Sequence, residues 1–164
     1  RRPGRRPRNL RLTMQEPRLD SLYQQLILEH YKSPRNRGEM EDAQVEVHMR
    51  NPTCGDEIKL QLRVEDGRIA QVTHTGQGCS ISQAAVSMMS QQLTDASVED
   101  AVDVARRFTA LMHGDESVAR DRSLGDLRAL AGVSKFPVRV KCALLGFDAL
   151  QEALKQVGDT SAED

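Results

Sequence analysis

The sequence has little aromatic character: no tryptophan, two tyrosines and three phenylalanines, or 3% of 164 residues. Single-stranded nucleic acids are held on stacked aromatic platforms, so nucleic acid is a poor first guess for a partner. The core has to come from Leu, Ile, Val, Ala and Met instead. No run approaches the roughly 18 apolar residues of a membrane span, and nothing resembles the apolar segment of a secretory signal. Cysteines number only three. An odd count without an export segment points away from a disulfide framework and toward reduced thiols in a cytoplasmic protein. Also missing are paired C-x-x-C knuckles of structural zinc domains, a glycine-rich phosphate loop, the local signatures of cysteine hydrolases, and internal repeats.

Charge is unevenly placed. The formal net charge is −1, yet residues 1 to 13 carry six arginines and no acid, so the remainder is acidic. Pro3 and Pro7 spoil an amphipathic helix and serines are absent from this stretch, against a transit peptide. The paired arginines lack a following apolar run, which excludes a twin-arginine export signal. Residues 1–18 therefore read as a disordered basic extension, with Met14 an alternative start. A hydrophobic fraction of 38% suffices for one modest core, assigned here to residues 19–157. Residues 158–164 read as a frayed polar tail.

Within that domain, Leu19, Leu22, Tyr23, Leu26, Ile27 and Tyr31 fall at helical spacing after a cap at Asp20 or Ser21, and Ser33-Pro34 stops the helix. Val45 and Val47, then Ile58, Leu60, Leu62 and Val64, alternate with polar residues, and Asp66-Gly67 is a hairpin turn signal. Residues 44–76 thus predict a three-stranded antiparallel meander. Helical spacing returns over Ser80 to Leu93 and again from the capping box at Ser97 to Gly114. Residues 115–123 read as a loop, Leu124 to Ala131 as a short helix ended by Gly132, and Pro137 opens a last helix whose Val140, Ala143, Leu144, Phe147, Leu150, Leu154 and Val157 face inward. Helices that follow the strands, instead of alternating with them, predict an α+β fold: a small three-stranded antiparallel sheet packed against several helices.

The chemistry centres on Asn51-Pro52-Thr53-Cys54-Gly55-Asp56, a thiol and a carboxylate two residues apart on a tight turn. With the other two cysteines, Cys54, Asp56, Cys79 and Cys142 supply the four donors that a tetrahedral zinc site requires, provided the fold brings them together. Zinc accepts soft sulfur and hard oxygen alike; iron fits less selectively. Cys79 and Cys142 fall near predicted helix starts, where unpaired amides and the helix dipole favour thiolate, and Arg139 and Lys141 push the same way. Of the four histidines, His74 is nearest to Cys79 in sequence and is a candidate to support the site; His30, His48 and His113 read as surface or internally satisfied residues.

Four ordered motifs carry a resemblance: His30-Tyr31-Lys32-Ser33-Pro34-Arg35-Asn36-Arg37-Gly38, then Asn51 to Asp56, then Gly76-Gln77-Gly78-Cys79-Ser80-Ile81-Ser82, then Pro137-Val138-Arg139-Val140-Lys141-Cys142. Over residues 19 to about 157 the chain resembles the IscU/SufU/NifU-N family of iron-sulfur cluster assembly proteins. The long interval from Cys79 to Cys142, Lys141 where scaffold-type members carry His, and Phe136-Pro137-Val138-Arg139 in place of a double-proline motif all resemble the SufU branch. The resemblance implies metal ligation by Cys54, Asp56, Cys79 and Cys142. It further implies a zinc-bound sulfur acceptor serving a SufS-type, pyridoxal-phosphate-dependent cysteine desulfurase, with downstream iron-sulfur assembly proteins as recipients and a monomeric state when alone. Cys54 is then the sulfur acceptor, and Arg139 an assisting residue. Two alternatives stay open: a scaffold on which an iron-sulfur cluster forms, and a purely structural zinc domain.

Overall fold

In the structure, a computed structural model, residues 22–163 are described. The basic extension, the cap at Asp20 or Ser21 and the contribution of Leu19 lie outside the described residues. Helix α1 occupies 22–32 and is followed by the 33–44 connection. Strands β1 (Val45–Arg50), β2 (Glu57–Glu65) and β3 (Arg68–Gln77) form an antiparallel sheet in the order β1-β2-β3. The register pairs Val47 with Leu60 and Leu60 with His74. Asp66 and Gly67 both take positive φ, 54° and 75°, as the tight two-residue turn joining twisted strands demands.

Period-two alternation puts Val45, Val47, Leu60, Leu62 and Val72 on one buried face. Helices α2 (Ser80–Leu93) and α5 (Pro137–Glu163) lie against that face and against each other; α3 (Val98–Met112) packs on the far side of α5. Gly146 lets α5 approach α2, since a Cβ there would sit 3.0 Å from Val86 Cγ2. Phe108 of α3 stacks on Phe147 of α5 with ring centroids 4.6 Å apart, both rings buried. Ser97 caps α3 by accepting from the Asp100 amide, as its capping-box sequence predicts. The α+β architecture expected from the order of strands and helices is the one observed.

Three local expectations are corrected. Within 115–123 there is a single helical turn, α4 (Glu116–Ala119), because Asp115 accepts from the Ser117 amide and satisfies its first donor. The predicted short helix at Leu124–Ala131 belongs to a longer 3₁₀ segment, Arg122–Lys135, kinked at Gly125 (φ 56°) and continuing through Gly132. Asp121 caps its start; the non-helical backbone of Gly125 divides it into two helical pieces, whereas Gly132, with an ordinary φ, does not end the second. Helical backbone also runs past Gly158 to Glu163, with no proline to end it.

The stripe on α1 is only partly covered. Leu22, Tyr23 and Tyr31, expected to point inward, are exposed; Leu26 and Ile27 pack partly against the core. The one fully buried residue on this helix is His30. Its Nε2 lies 2.9 Å from Asp126 Oδ2 and its Nδ1 2.7 Å from Ser87 Oγ, which also accepts from the Arg35 amide at 2.7 Å. A buried imidazole must have partners, so this ring joins α1, α2, the 3₁₀ segment and the 33–38 loop.

Candidate metal centre

The Asn51–Asp56 turn is shaped by Asn51. Its amide donates to Asp56 O (2.8 Å), its carbonyl accepts from Gly55 N (2.8 Å), and its side-chain Oδ1 accepts from Thr53 N (3.0 Å). Gly55 supplies the positive φ of 75° that turns the chain between Cys54 and Asp56. The consequence is that Cys54 stays exposed while Asp56, two residues on, is buried.

Cys79 is the N-cap residue of α2, and its own side chain makes no capping bond. Asp56 instead ties down the cap residue itself from across the cleft: Oδ1 accepts from the Cys79 amide at 3.0 Å, leaving Oδ2 for the sulfurs, 3.6 Å from Cys79 Sγ. This approach requires Gly78, where a Cβ would fall 2.5 Å from Asp56 Oδ1 and 2.6 Å from Ser82 Oγ. Ser82, fully buried, donates to Cys79 O at 3.1 Å. Cys142 enters from α5, its Sγ 3.5 Å from Cys54 Sγ.

The ligand atoms of Cys54, Asp56 and Cys142 all lie within 4.8 Å of one another. Cys79 joins through Asp56 and falls outside that mutually close trio. For a tetrahedral zinc with ordinary bond lengths, neighbouring sulfurs stand about 3.8 Å apart and a sulfur and a carboxylate oxygen about 3.6 Å apart. The Cys54–Cys142 and Cys79–Asp56 separations, 3.5 Å and 3.6 Å, are close to those values. The donor set fits such an ion.

Electrostatics agree with a cation-binding role. Burial alone would raise the Asp56 carboxyl, but hydrogen bonds from Cys54, Cys142 and the Cys79 amide outweigh it and hold the group below its ordinary value. Cys142 is pushed far up, first by burial and then by Asp56 and Cys54. Thiolate favoured by a helix start was expected there and is corrected: Cys142 lies in the second turn of α5, where the dipole has faded, and it is buried against the Asp56 carboxylate. A divalent cation is what relieves such crowding.

An open cleft of about 620 Å³ gives access to Cys54, Asp56, Cys79 and Cys142, and the exposed Arg139 lines it. Lys141 does not; it borders a smaller hollow on the other side, with Asn51 and Asp148. His74 is likewise turned away from the site: its Nε2 donates to Arg35 O at 2.8 Å, and none of its hydrogen bonds reaches the four candidate ligands. Sequence reasoning missed the roles of Asn51, Gly78 and Ser82. All three sit inside the quoted motifs; Asn51 and Gly78 would have been found by asking what holds a thiol and an acid in place, whereas Ser82 left no separate signal.

Comparison with known proteins follows the same lines. The profile described as NifU-like N terminal domain matches residues 22–143. The chain is 44% identical to the zinc-dependent sulfurtransferase SufU of Bacillus subtilis, an alignment covering 83% of this chain and 91% of that protein. It is 37% identical to the iron-sulfur cluster assembly scaffold protein IscU of Streptococcus pyogenes, over 85% and 86% of the two chains. A crystal structure of SufU from Fervidobacterium islandicum, a candidate iron-sulfur cluster assembly scaffold for the SUF system, superposes with a TM-score of 0.72 at 31% identity, covering 79% of this chain and 93% of that one. Matched over most of its length in sequence and in backbone, the chain belongs to the family of the NifU-like N-terminal domain.

Proposed function

We propose that this protein is a zinc-dependent sulfur acceptor that takes persulfide sulfur from a SufS-type cysteine desulfurase for iron-sulfur cluster assembly in the cytoplasm. The observation that carries the reading is the asymmetry of the donor set. Cys142 sits inside a helix, Cys79 at a helix cap and Asp56 is tied to a helix amide, whereas Cys54 is exposed on a turn. Cys54, Asp56, Cys79 and Cys142 would hold the ion. Bound zinc would supply charge neutralisation and keep the thiols deprotonated at neutral pH.

The transfer step is an exchange at sulfur. The Cys54 thiolate attacks the outer sulfur of the partner's cysteine persulfide; the partner's S–S bond breaks, its electron pair leaves on the partner thiolate, and Cys54 becomes the persulfide. No net oxidation occurs, so no further reductant is needed. Asp56 Oδ2 faces the sulfurs while its other oxygen keeps the start of α2 in place. Arg139, on the cleft wall, provides positive charge toward the arriving persulfide anion.

Cys54→Ala should abolish both sulfur acceptance and stimulation of desulfurase turnover, with little loss of fold because Cys54 is exposed. Unchanged stimulation sinks the reading. The IscU relative favours a second one, a scaffold; protein purified anaerobically that is brown and carries iron and sulfide would select it, and colourless protein with stoichiometric zinc the first.

A further inference from the structure

Beside the cysteine cleft runs a second groove of about 550 Å³, between α1, the start of α2 and the end of the 3₁₀ segment. Tyr23, Ile27, Ile81, Val133 and Phe136 give it apolar walls. Two of the chain's five aromatic residues are thus placed here, and Phe136 is 59% exposed, Val138 beside it 62%. Exposed aromatics concentrated next to a reactive site mark an interaction surface. Among the described residues, the only charged ones lining the groove are Lys135 and Arg139, and neither side chain has an ion-pair or hydrogen-bond partner there. Arg139 also lines the cysteine cleft, so the two cavities share a wall.

We propose that this groove seats a segment of the sulfur donor in which an apolar side chain is followed by a carboxylate. This rests on the sulfur-acceptor reading. The apolar side chain enters between Tyr23, Ile81 and Phe136, and the carboxylate meets Lys135 and Arg139, two cations facing a pocket to which no described residue contributes an acid. The donor is the occupant, and not a second copy, because whatever fills the groove stands at the mouth of the cysteine cleft. Two copies placed there would obstruct each other's Cys54.

Gly132 offers a clean probe. It lines the groove with an ordinary φ, and a Cβ at this position meets nothing within 4 Å, so Gly132→Trp plugs the groove without straining the backbone. Lys135→Glu, at an exposed site, reverses the charge and serves even if the tryptophan variant folds poorly. Affinity for a SufS-type cysteine desulfurase is measured by titration calorimetry, with zinc content and the alkylation rate of Cys54 read on the same samples. Each variant is expected to weaken desulfurase binding by about tenfold or more, the loss of one good anchor, with zinc content and alkylation unchanged. Wild-type affinity in both variants overturns the proposal. If Cys54→Ala still abolishes stimulation in that case, the acceptor reading stands without the groove; if it does not, the acceptor reading has failed as well. A wild-type dimer in sedimentation that Gly132→Trp splits assigns the groove to a second copy and also overturns the proposal.

Discussion

Gly78→Ala puts the arrangement of Asp56 to a quantitative test. The new Cβ would lie 2.5 Å from Asp56 Oδ1 and 2.6 Å from Ser82 Oγ, well inside contact distance. Gly78 has no positive φ, so alanine adopts the backbone without strain and any effect reports the collision. Asp56 has to swing, breaking its 3.0 Å bond from the Cys79 amide. Loss of a part-buried bond to a carboxylate costs about 2 kcal/mol. Stiffening of the unfolded chain returns about 0.4–1 kcal/mol, for a net loss of roughly 1–1.5 kcal/mol and a fall in Tm of about 2–6 °C. Zinc affinity, read by chelator competition, should fall further, by about 10- to 100-fold, because Oδ2 moves with the rest of the carboxylate. The decisive experiment is a double-mutant cycle by urea denaturation. In an Asp56→Ala background, Gly78→Ala should cost clearly less, the remainder reporting the contact with Ser82. Equal destabilisation in both backgrounds would show that the collision is with Ser82 and that Asp56 does not hold the start of α2.

Further perturbations probe the framework. His30→Leu keeps the volume but strips two hydrogen bonds from a fully buried ring, so stability should drop by about 2–4 kcal/mol; amide exchange in the 33–38 loop should rise with it, and unchanged exchange would deny His30 its linking role. Burial depresses the His74 ring below its ordinary value. The folded state therefore binds fewer protons than the unfolded one. The stabilisation is complete above the unfolded value near pH 6.5 and is lost progressively as the pH falls below it; His74→Gln should flatten that part of a stability-against-pH curve. Gly146→Ala crowds Val86 and should destabilise by about 1–2 kcal/mol, with partial recovery on adding Val86→Ala; additive losses in thermal melts would refute the contact.

Much of this architecture was legible in the sequence because local rules and tertiary demands coincide there. Alternation through Ile58, Leu60 and Leu62, the Asp66-Gly67 turn and the Ser97 box each specify geometry on their own, and the packed fold uses all three. Arg122–Lys135 was harder: 3₁₀ and α-helix share their capping chemistry, and Gly132 reads as a stop unless the packing above it is known. For α1 the periodicity gave the inward face, through Leu26 and Ile27, but not its extent, since an apolar stripe says only that something covers it, not that this chain covers all of it. The candidate ligands were legible as residue types, and their convergence is geometric. The opposing fates of Arg139 and Lys141 were not, because two residues along a helix separate side chains by more than half a turn, and nothing in the sequence gives the phase.

The carboxylate between β2 and α2 has one further implication. Since one oxygen is committed to the backbone and only the other looks into the cleft, Asp56, Cys79 and Cys142 are anchored in the scaffold, and the exposed Cys54 is not. On the acceptor role proposed above, loading and unloading Cys54 would ask for no repacking beneath it, and a carrier built this way would return to its starting geometry after every delivery.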